Sequence, residues 1–359
     1  MRIWILALAA ALGACASRPP AALDAAAPRW LVQHQVPSVA IAFIEDGRIA
    51  WTAAYGAQSE GEPASIDTLY NVASLAKPLS AEAMLRAVSA GRADLDEPMS
   101  RYWVDPDLAG DPRLDALTLR VALTHQTGFA NWRAQTEGVL SFRSPPGEGF
   151  TYSGEGFEYA RRYMQARNGE AFEAMVQRSV LDAVGMPSTA YTRRPWFEGR
   201  IAIPHDSEGA ALAPSIRERE MNAADDLYTT VGDYARFMLS VMNGEGVSPG
   251  IAAQRYVYPA QLREGGCGEG EGRLAMEACP DGVGMGLGWM VFRYGDETLI
   301  MHTGSDDGEQ AIAFFVPERR LGVVIFTNSA HGSRLYPEIV AQLYPNEKFI
   351  AFLRMQAAR

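Results

Sequence analysis

The stretch Tyr70-Asn-Val-Ala-Ser74-Leu-Ala-Lys77 joins a short β-rich segment to a helical pattern that continues to about Gly91. At the start of a helix, a spacing of three residues puts the side chains of Ser74 and Lys77 on one face. A serine hydroxyl needs a base within hydrogen-bond reach, and a lysine can serve once burial disfavours its charged form. We therefore predict that Ser74 is a nucleophile activated by Lys77, with the backbone N–H of Ser74 stabilising an oxyanion at the helix start.

Lysine is rare in this chain, which has 30 arginines and only two lysines, Lys77 and Lys348. With about 20 serines, chance predicts roughly 0.1 Ser-x-x-Lys matches in the whole chain. Arginine is the expected basic residue here, but it cannot release its proton, so a basic catalyst requires lysine. The alternative, in which Ser74 only caps the helix and Lys77 is a solvated charge, leaves the rare lysine unexplained.

Strand patterns lie at both ends of the chain and helical patterns lie between them. A hairpin is predicted over 38–55 with its turn at Asp46-Gly47, and helical segments are predicted to dominate from Ser74 to about Val241. The further predicted elements are helices over 157–168, 171–184 and 232–242, strands over 288–294, 297–302, 310–316 and 321–327, and helices over 333–343 and from Lys348.

This order predicts a mixed α/β fold, in which an antiparallel sheet flanked by helices is built from both ends of the chain and an all-helical domain is inserted between them. The predicted boundaries are 29–70 with 245–359 for the discontinuous sheet domain, and 71–244 for the mainly helical domain that carries the nucleophile.

The N-terminus has the features of an export signal. Arg2 is followed by ten apolar residues over 3–12, too few to span a bilayer but typical of a signal peptide. Leu12-Gly-Ala-Cys15 then resembles a bacterial lipobox, so we predict a lipoprotein signal over 1–14, lipidation of Cys15 and a tether over 15–28. The expected location is the periplasmic face of a bacterial membrane, the outer one if the host has two, with the lipid as the only membrane contact. A plain secretory signal with a chance cysteine is the alternative.

The composition bears on which partners the protein binds and on whether its cysteines are oxidised. The formal net charge is −11 and no basic stripe occurs, so nucleic acid is a poor partner prediction. Cys267 and Cys279 lie in the Gly-rich stretch 265–284, and in an oxidising compartment we expect them to form a disulfide. A metal site is the rival interpretation, but no second cysteine pair or histidine cluster accompanies them.

Three motifs together resemble the serine β-lactamase-like and penicillin-binding protein family, which includes class C β-lactamases, D,D-peptidases and family VIII esterases. Ser74-Leu-Ala-Lys77 matches Ser-x-x-Lys, Tyr152-Ser-Gly154 matches Tyr-x-Asn in part, and His302-Thr-Gly304 matches Lys/His-Thr-Gly. Leu123-Thr-His-Gln-Thr-Gly128 and Gly286-Leu-Gly-Trp289 are similar to supporting stretches of that family. The resemblance covers roughly residues 30–345 and implies a β-lactamase/transpeptidase-like fold.

The resemblance implies roles for further residues. Tyr152 is expected to act as the second general base and acid, while the first proton acceptor is left open between Lys77 and Tyr152. The backbone N–H of Ser305 would complete the oxyanion hole with that of Ser74. His302, Thr303 and Gly304 would line the substrate site. His125 is expected to be a structural histidine that holds a turn.

Gly154 departs from the family pattern, in which an asparagine binds the carbonyl of the substrate's side-chain amide. Glycine removes that contact, which is worth about 1 kcal/mol. His302 in place of lysine also weakens attraction for a substrate carboxylate, because histidine is mostly neutral at pH 7. Glu155 either enters the vacated space or is simply a charge in the first turn of a helix, and we favour the second interpretation.

These observations predict a serine hydrolase that works through an acyl-enzyme without a cofactor or metal, on a small-molecule ester, peptide or β-lactam. A β-lactamase-related carboxylesterase or peptidase is the leading interpretation. The alternatives are a D,D-carboxypeptidase or β-lactamase acting on cell-wall peptides or β-lactams, and a non-catalytic penicillin-binding-like sensor. The sequence contains no Gly-x-Ser-x-Gly elbow and no His-Glu-x-x-His motif, which argues against α/β-hydrolases and common zinc hydrolases.

Overall fold

The computed structural model describes residues 18–258, 260–261, 267 and 274–358. The predicted signal peptide and Cys15 lie outside these residues. The described strands are β1 (Ser38–Glu45), β2 (Arg48–Ser59), β3 (Glu62–Pro63), β4 (Tyr70–Asn71), β5 (Tyr228–Thr229), β6 (Ala260–Gln261), β7 (Gly282–Met285), β8 (Met290–Tyr294), β9 (Glu297–Asp306), β10 (Glu309–Val316) and β11 (Leu321–Thr327). Nine of them form one antiparallel sheet in the order β3-β2-β1-β11-β10-β9-β8-β7-β6, and β4 pairs with β5.

The described helices surround this sheet. They are α1 (Ala21–His34), α2 (Ala76–Ser89), α3 (Leu119–Leu123), α4 (Gly154–Asn168), α5 (Phe172–Val176), α6 (Asp182–Val184), α7 (Val231–Met242), α8 (Pro249–Gln254), α9 (Tyr336–Leu343) and α10 (Glu347–Ala357), with a π-helical turn between α5 and α6. Within the described part of the chain, none of these helices combines the length and the apolar character that crossing a membrane requires.

The central strand β1 joins the two ends of the chain. It pairs with β2 on one side and with β11 on the other, where Ile41 lies opposite Ile325. Alternation along β1 sends Val39 and Ile41 to the core shared with α1, α9 and α10, and Ala40 to the core shared with α2, α4 and α7. Full burial of an isoleucine is worth about 2 kcal/mol, so this pairing fixes the register firmly. The predicted mixed α/β fold class is confirmed.

The segment predicted as a tether is instead a helix from Ala21 onward. Leu23, Ala27 and Leu31 recur every fourth residue, and at most 7% of each side chain is exposed. This spacing produces an apolar stripe along α1, which packs against β2 and α9. The helix therefore forms part of the core, and the Pro- and Ala-rich composition masked its amphipathic pattern.

The helical prediction also fails between Gly185 and Leu227. This segment consists of turns, isolated β-bridges and a short 3₁₀ turn at Pro195–Phe197. Its four prolines remove backbone donors and prevent a regular helix. Beyond it, α7 lies on the sheet, where the methyl group of Met238 is 3.1 Å from the position of a Cβ on Gly322. The boundary predicted after residue 244 remains a prediction, and this contact favours placing α7 with the sheet.

Cys267 and Cys279 form a disulfide in the structure, with their Cα atoms 5.9 Å apart. Cys267 also makes an isolated bridge to Leu274. The bridge encloses a loop of about a dozen residues, which in the chain-entropy model stabilises the fold by about 3 kcal/mol.

Candidate active site

Ser74 lies in a tight turn between β4 and α2. The preceding residue, Ala73, has φ of 45°, in the left-handed region that non-glycine residues rarely adopt. The side-chain oxygen of Asn71 accepts a hydrogen bond from the N–H of Ala73 at 3.0 Å and holds the turn. Ala73–Leu75 form one 3₁₀ turn that leads directly into α2. Strain of this kind is common at functional sites and here presents Ser74 at the start of the helix.

Lys77 is fully buried beside the serine. Its Nζ donates to Ser74 Oγ and to the carbonyl oxygen of Ala224, both at 2.8 Å. The side chain is 0% exposed, and no carboxylate pairs with it among the described residues. The spacing of three residues thus brings the amine into direct contact with the hydroxyl.

Tyr152 covers the other side of Lys77. The centre of its ring lies 4.8 Å from Nζ, and the ring stacks on His125 with centroids 4.3 Å apart. His125 in turn accepts the N–H of Ser153 at Nδ1, and its carbonyl accepts the N–H of Thr151. Burial lowers the pKa of His125 well below its usual range, and the charge of Lys77 lowers it further. His125 is therefore a neutral residue that positions Tyr152, consistent with the predicted structural role.

His302 approaches the same site from β9. Its ring centroid lies 6.2 Å from that of Tyr152, and its Nδ1–H donates to the carbonyl of Thr303 at 2.7 Å. Burial, aided by the charge of Lys77, lowers the pKa of His302 to about 3, so the ring is neutral at pH 7. Nε2 is then a buried acceptor with no partner among the described residues.

Gly304 brings β9 into direct contact with the serine turn. A Cβ at this position would lie 2.0 Å from the carbonyl oxygen of Val72, so only glycine fits. From residue 302 to 306, β9 pairs with β10 on one edge, whereas β8 pairs with β9 only as far as Met301. Among the described strands, the other edge of this segment is therefore open to an extended substrate. The predicted oxyanion role of the Ser305 N–H remains a prediction.

The side chain of Thr303 does not face this site, which corrects the placement that the resemblance implies. Strand alternation sends Thr303 and Ser305 to the opposite face of β9 from His302. There they line a separate cavity of about 270 Å³ together with Tyr336 and Phe352. Any contact of Thr303 with a substrate at Ser74 is therefore through its backbone.

Trp132 explains the glycine at position 154. A Cβ on Gly154 would lie only 2.5 Å from Cη2 of the Trp132 indole, so the ring occupies the space that a larger residue needs. The centre of the indole is 5.8 Å from Lys77 Nζ, which places Trp132 in the wall of the site. The N–H of Gly154 donates to the side chain of Asn131 at 2.8 Å and anchors this arrangement. Motif matching does not identify Trp132, because no motif includes it.

Glu155 stays outside the site. Its carboxylate accepts hydrogen bonds from the backbone N–H of Arg133 at 3.0 Å and from the guanidinium Nη2 of the same residue at 2.9 Å. This agrees with the interpretation of Glu155 as a charge in the first turn of α4. The ion pair fixes the loop that carries Trp132.

Four acidic residues that sequence reasoning did not select lie close to the serine. Asp225 and Asp226 follow Ala224, the residue that accepts from Lys77, and Asp306 ends β9. Carboxylate oxygens of these three aspartates lie within 4.8 Å of one another, and Glu309 interacts electrostatically with all three. We call Asp225, Asp226, Asp306 and Glu309 the acidic cluster; its three aspartates are the one group among the described residues with the donor set for a metal ion.

Comparisons with known proteins show which family and which solved structures the chain is similar to. A family model described as β-lactamase matches residues 10–343. Unguisins hydrolase ungD from Aspergillus violaceofuscus is 24% identical over 337 residues, which cover 83% of this chain and 59% of that protein. Protein flp from Staphylococcus aureus is 20% identical over 335 residues, covering 87% of this chain and 63% of that protein. The chain thus spans about six-tenths of the length of these relatives.

Two solved structures share the fold. A penicillin-binding protein homologue from Pyrococcus abyssi, described as octameric, superposes with a TM-score of 0.73 at 19% identity, covering 91% of this chain and 78% of that chain. A class C β-lactamase superposes with the same TM-score at 17% identity, covering 90% of this chain and 95% of that chain.

Proposed function

Because the chain belongs to the β-lactamase family, we propose that it is a serine hydrolase that cleaves small esters through an acyl-enzyme on Ser74. The observation that carries this proposal is the 2.8 Å contact between Ser74 Oγ and the Nζ of a fully buried lysine. A buried amine beside a hydroxyl at a helix start is an arrangement suited to nucleophilic catalysis rather than to a surface charge.

In the proposed reaction, Lys77 acts in its neutral amine form, and its Nζ accepts the hydroxyl proton while Ser74 Oγ attacks the carbonyl carbon of the substrate. The backbone N–H groups of Ser74 and Ser305 hold the oxyanion that develops. Tyr152, whose ring centre lies 4.8 Å from Lys77 Nζ, gives its phenolic proton to the departing group and regains one from Lys77. Water then enters, attacks the acyl-enzyme, and the same groups transfer the proton in reverse. The step uses only side chains and backbone groups of this chain.

Two observations favour esters over the amide substrates of peptidases and β-lactamases. The indole of Trp132 covers Gly154, so no carboxamide is available there for a side-chain amide of the substrate. His302 is neutral, so it offers no positive charge to a substrate carboxylate. A D,D-carboxypeptidase or β-lactamase activity is the alternative, and a non-catalytic sensor is the second.

The proposal is tested with p-nitrophenyl esters of short-chain acids and the protein lacking residues 1–15. We expect turnover that falls at least 10³-fold in Ser74→Ala and in Lys77→Ala, because losing a nucleophile or its base removes several kcal/mol of transition-state stabilisation. Ser207→Ala and Lys348→Ala are matched controls, since Ser207 is exposed and Lys348 is paired with Asp281 at the surface.

A fluorophosphonate probe followed by peptide mass spectrometry should label Ser74 in the parent protein. Ester turnover that survives Ser74→Ala would contradict the assignment of the nucleophile. A long-lived penicillin adduct on Ser74 without ester turnover would favour the peptidase alternative. Absence of both labelling and turnover would favour the sensor.

The proposal also includes export as a lipoprotein, on the support of the apolar segment 3–12 and the Leu12-Gly-Ala-Cys15 stretch. The expected product begins at Cys15 and carries acyl chains on its thiol. Mass spectrometry of the N-terminal peptide from membranes would detect them. In Cys15→Ser, the protein should leave the membrane fraction, and unchanged membrane association would contradict the anchor.

A further inference from the structure

The acidic cluster contacts the serine turn through two short connections. Ala224 accepts from Lys77, and Asp225 and Asp226 are the next two residues. On the other side, Glu309 Oε2 accepts from Asn71 Nδ2 at 2.7 Å, and Asn71 holds the N–H of Ala73 next to Ser74. Asp306 lies directly opposite Glu309 across the β9–β10 turn. The cluster therefore adjoins the turn that carries Ser74.

Most of the negative charge in this cluster lacks a cation of its own. Asp226 pairs with Arg217 at 2.6 Å and accepts from Ser215. By contrast, the described contacts of Asp225 and Asp306 are backbone N–H groups of the residues that follow them. Glu309 is only 3% exposed, and its Oε1 is buried with no hydrogen-bond partner in the described part of the chain.

Three carboxyl groups of the cluster have raised pKa values, because they are buried close together with few cations beside them. Burial raises the pKa of Asp225 to about 7, with Lys77 opposing the shift and the neighbouring carboxylates adding to it. Burial likewise raises the pKa of Asp306, and raises that of Glu309 well above its usual range. The charged or titratable groups that face Asp225 are Lys77, Asp226, Asp306 and Glu309. A cation placed among these carboxylates would relieve both their repulsion and their burial.

A substrate ammonium group fits this arrangement better than a metal ion. An ammonium has three donors, and Asp225, Asp306 and Glu309 each retain acceptor capacity. A metal bound by all three aspartates would need an oxygen of Asp226, but Oδ2 already accepts from the guanidinium of Arg217 and Oδ1 from the hydroxyl of Ser215. Asp225 and Asp306 are partly exposed, so a substrate at Ser74 can reach them, with Glu309 behind.

We propose that Asp225 and Asp306, backed by Glu309, form a subsite that recognises a protonated amine on the substrate of Ser74. This inference rests on the proposed function and names the substrate class of that same site. It predicts that the preferred substrates are esters that carry a primary ammonium group, and that anionic substrates are disfavoured.

The test compares two boronic acids that differ mainly in charge, 3-(aminomethyl)phenylboronic acid and 3-ethylphenylboronic acid, as inhibitors of p-nitrophenyl ester turnover. In the parent protein, we expect the cationic compound to bind about tenfold more tightly or better, because hydrogen bonds between charged groups are strong. In Asp225→Asn and in Asp306→Asn, the preference should fall below about threefold. Asp307→Asn is the matched control, since Asp307 is exposed and next in the chain, and it should keep the preference.

Equal inhibition of the parent by the two boronates, or a preference that survives in both asparagine variants, would overturn the subsite and leave the proposed function intact. A calorimetric titration with CaCl₂ supplies a second criterion. Saturable calcium binding that is lost in Asp225→Asn would overturn the ammonium assignment in favour of a metal site. Ester turnover that does not depend on Ser74 would instead remove the proposed function itself.

Discussion

Replacing Gly154 with alanine should force a methyl group into the indole of Trp132. The new Cβ would lie 2.5 Å from Cη2, about 1 Å inside the ~3.5 Å optimum between carbon atoms. The ring cannot retreat freely, because the preceding residue, Asn131, is bonded to the start of α4. We expect Gly154→Ala to lower the free energy of unfolding by about 1–3 kcal/mol, the usual range for overpacking.

The variant Trp132→Ala separates this clash from any other effect of the alanine at position 154. Trp132→Ala alone should destabilise the protein, but it also creates the space that the methyl group needs. In the double variant, Gly154→Ala should therefore be neutral or stabilising, which gives a coupling energy of about 1–3 kcal/mol. Gly232→Ala is the matched control in the first turn of α7, where the nearest atom to a new Cβ is 3.9 Å away. That control should be neutral or stabilise by about 0.5–1 kcal/mol.

The assay is urea denaturation followed by far-ultraviolet circular dichroism, with the midpoint compared at unchanged slope. Additivity of the two substitutions within about 0.5 kcal/mol would refute the reasoning, since independent sites behave in that way. It would mean that the indole does not occupy the place of the missing side chain.

Three further predictions concern stability and use the same denaturation assay. Between about pH 4 and pH 7 the raised pKa of Asp225 keeps it protonated only in the folded state, so the contribution of Asp225 to stability should fall as the pH rises, opposite in sign to that of the buried His125 and His302. Asp225→Asn should lose this slope and be more stable than the parent by about 2–4 kcal/mol above pH 7; equal slopes would contradict this. Ala73→Gly should stabilise by up to about 1 kcal/mol, because glycine adopts the positive φ of 45° without strain, and a loss of stability would show that the turn is unstrained. Glu82→Gln should cost about 3–5 kcal/mol by leaving Arg255, which is 1% exposed, without its buried counter-charge; a change below 1 kcal/mol would show that the pair is dispensable.

The sequence was sufficient to predict the fold class and that the side chains of Ser74, Lys77, Tyr152 and His302 lie near one another. The spacing of Ser74 and Lys77 requires only one helical turn to become a contact, and β-rich segments at both ends predicted a shared sheet. Tyr152 and His302 lie far from them in the chain, and the resemblance identified them through motif order. The strand β9 and the loop before α4 bring both of them near Lys77.

What the sequence did not reveal depends on contacts between loops. Trp132 and Gly154 are complementary in volume, and no periodic pattern records such a pair. Asp225 and Asp306 come together only because the turn before β5 lies against the end of β9, so each looks like an ordinary surface charge in the sequence. The stripe of Leu23, Ala27 and Leu31 was readable as a helix, but composition favoured a tether.

The position of β1 between β2 and β11 bears on when the protein becomes active during its synthesis. Ser74 and Lys77 leave the ribosome well before β9, which carries His302 and the open edge. The central strand cannot complete its pairing until residues 321–327 are available. A nascent chain therefore holds its nucleophile without the strand that completes the site, and hydrolysis should begin only after residues 321–327 have been made and paired.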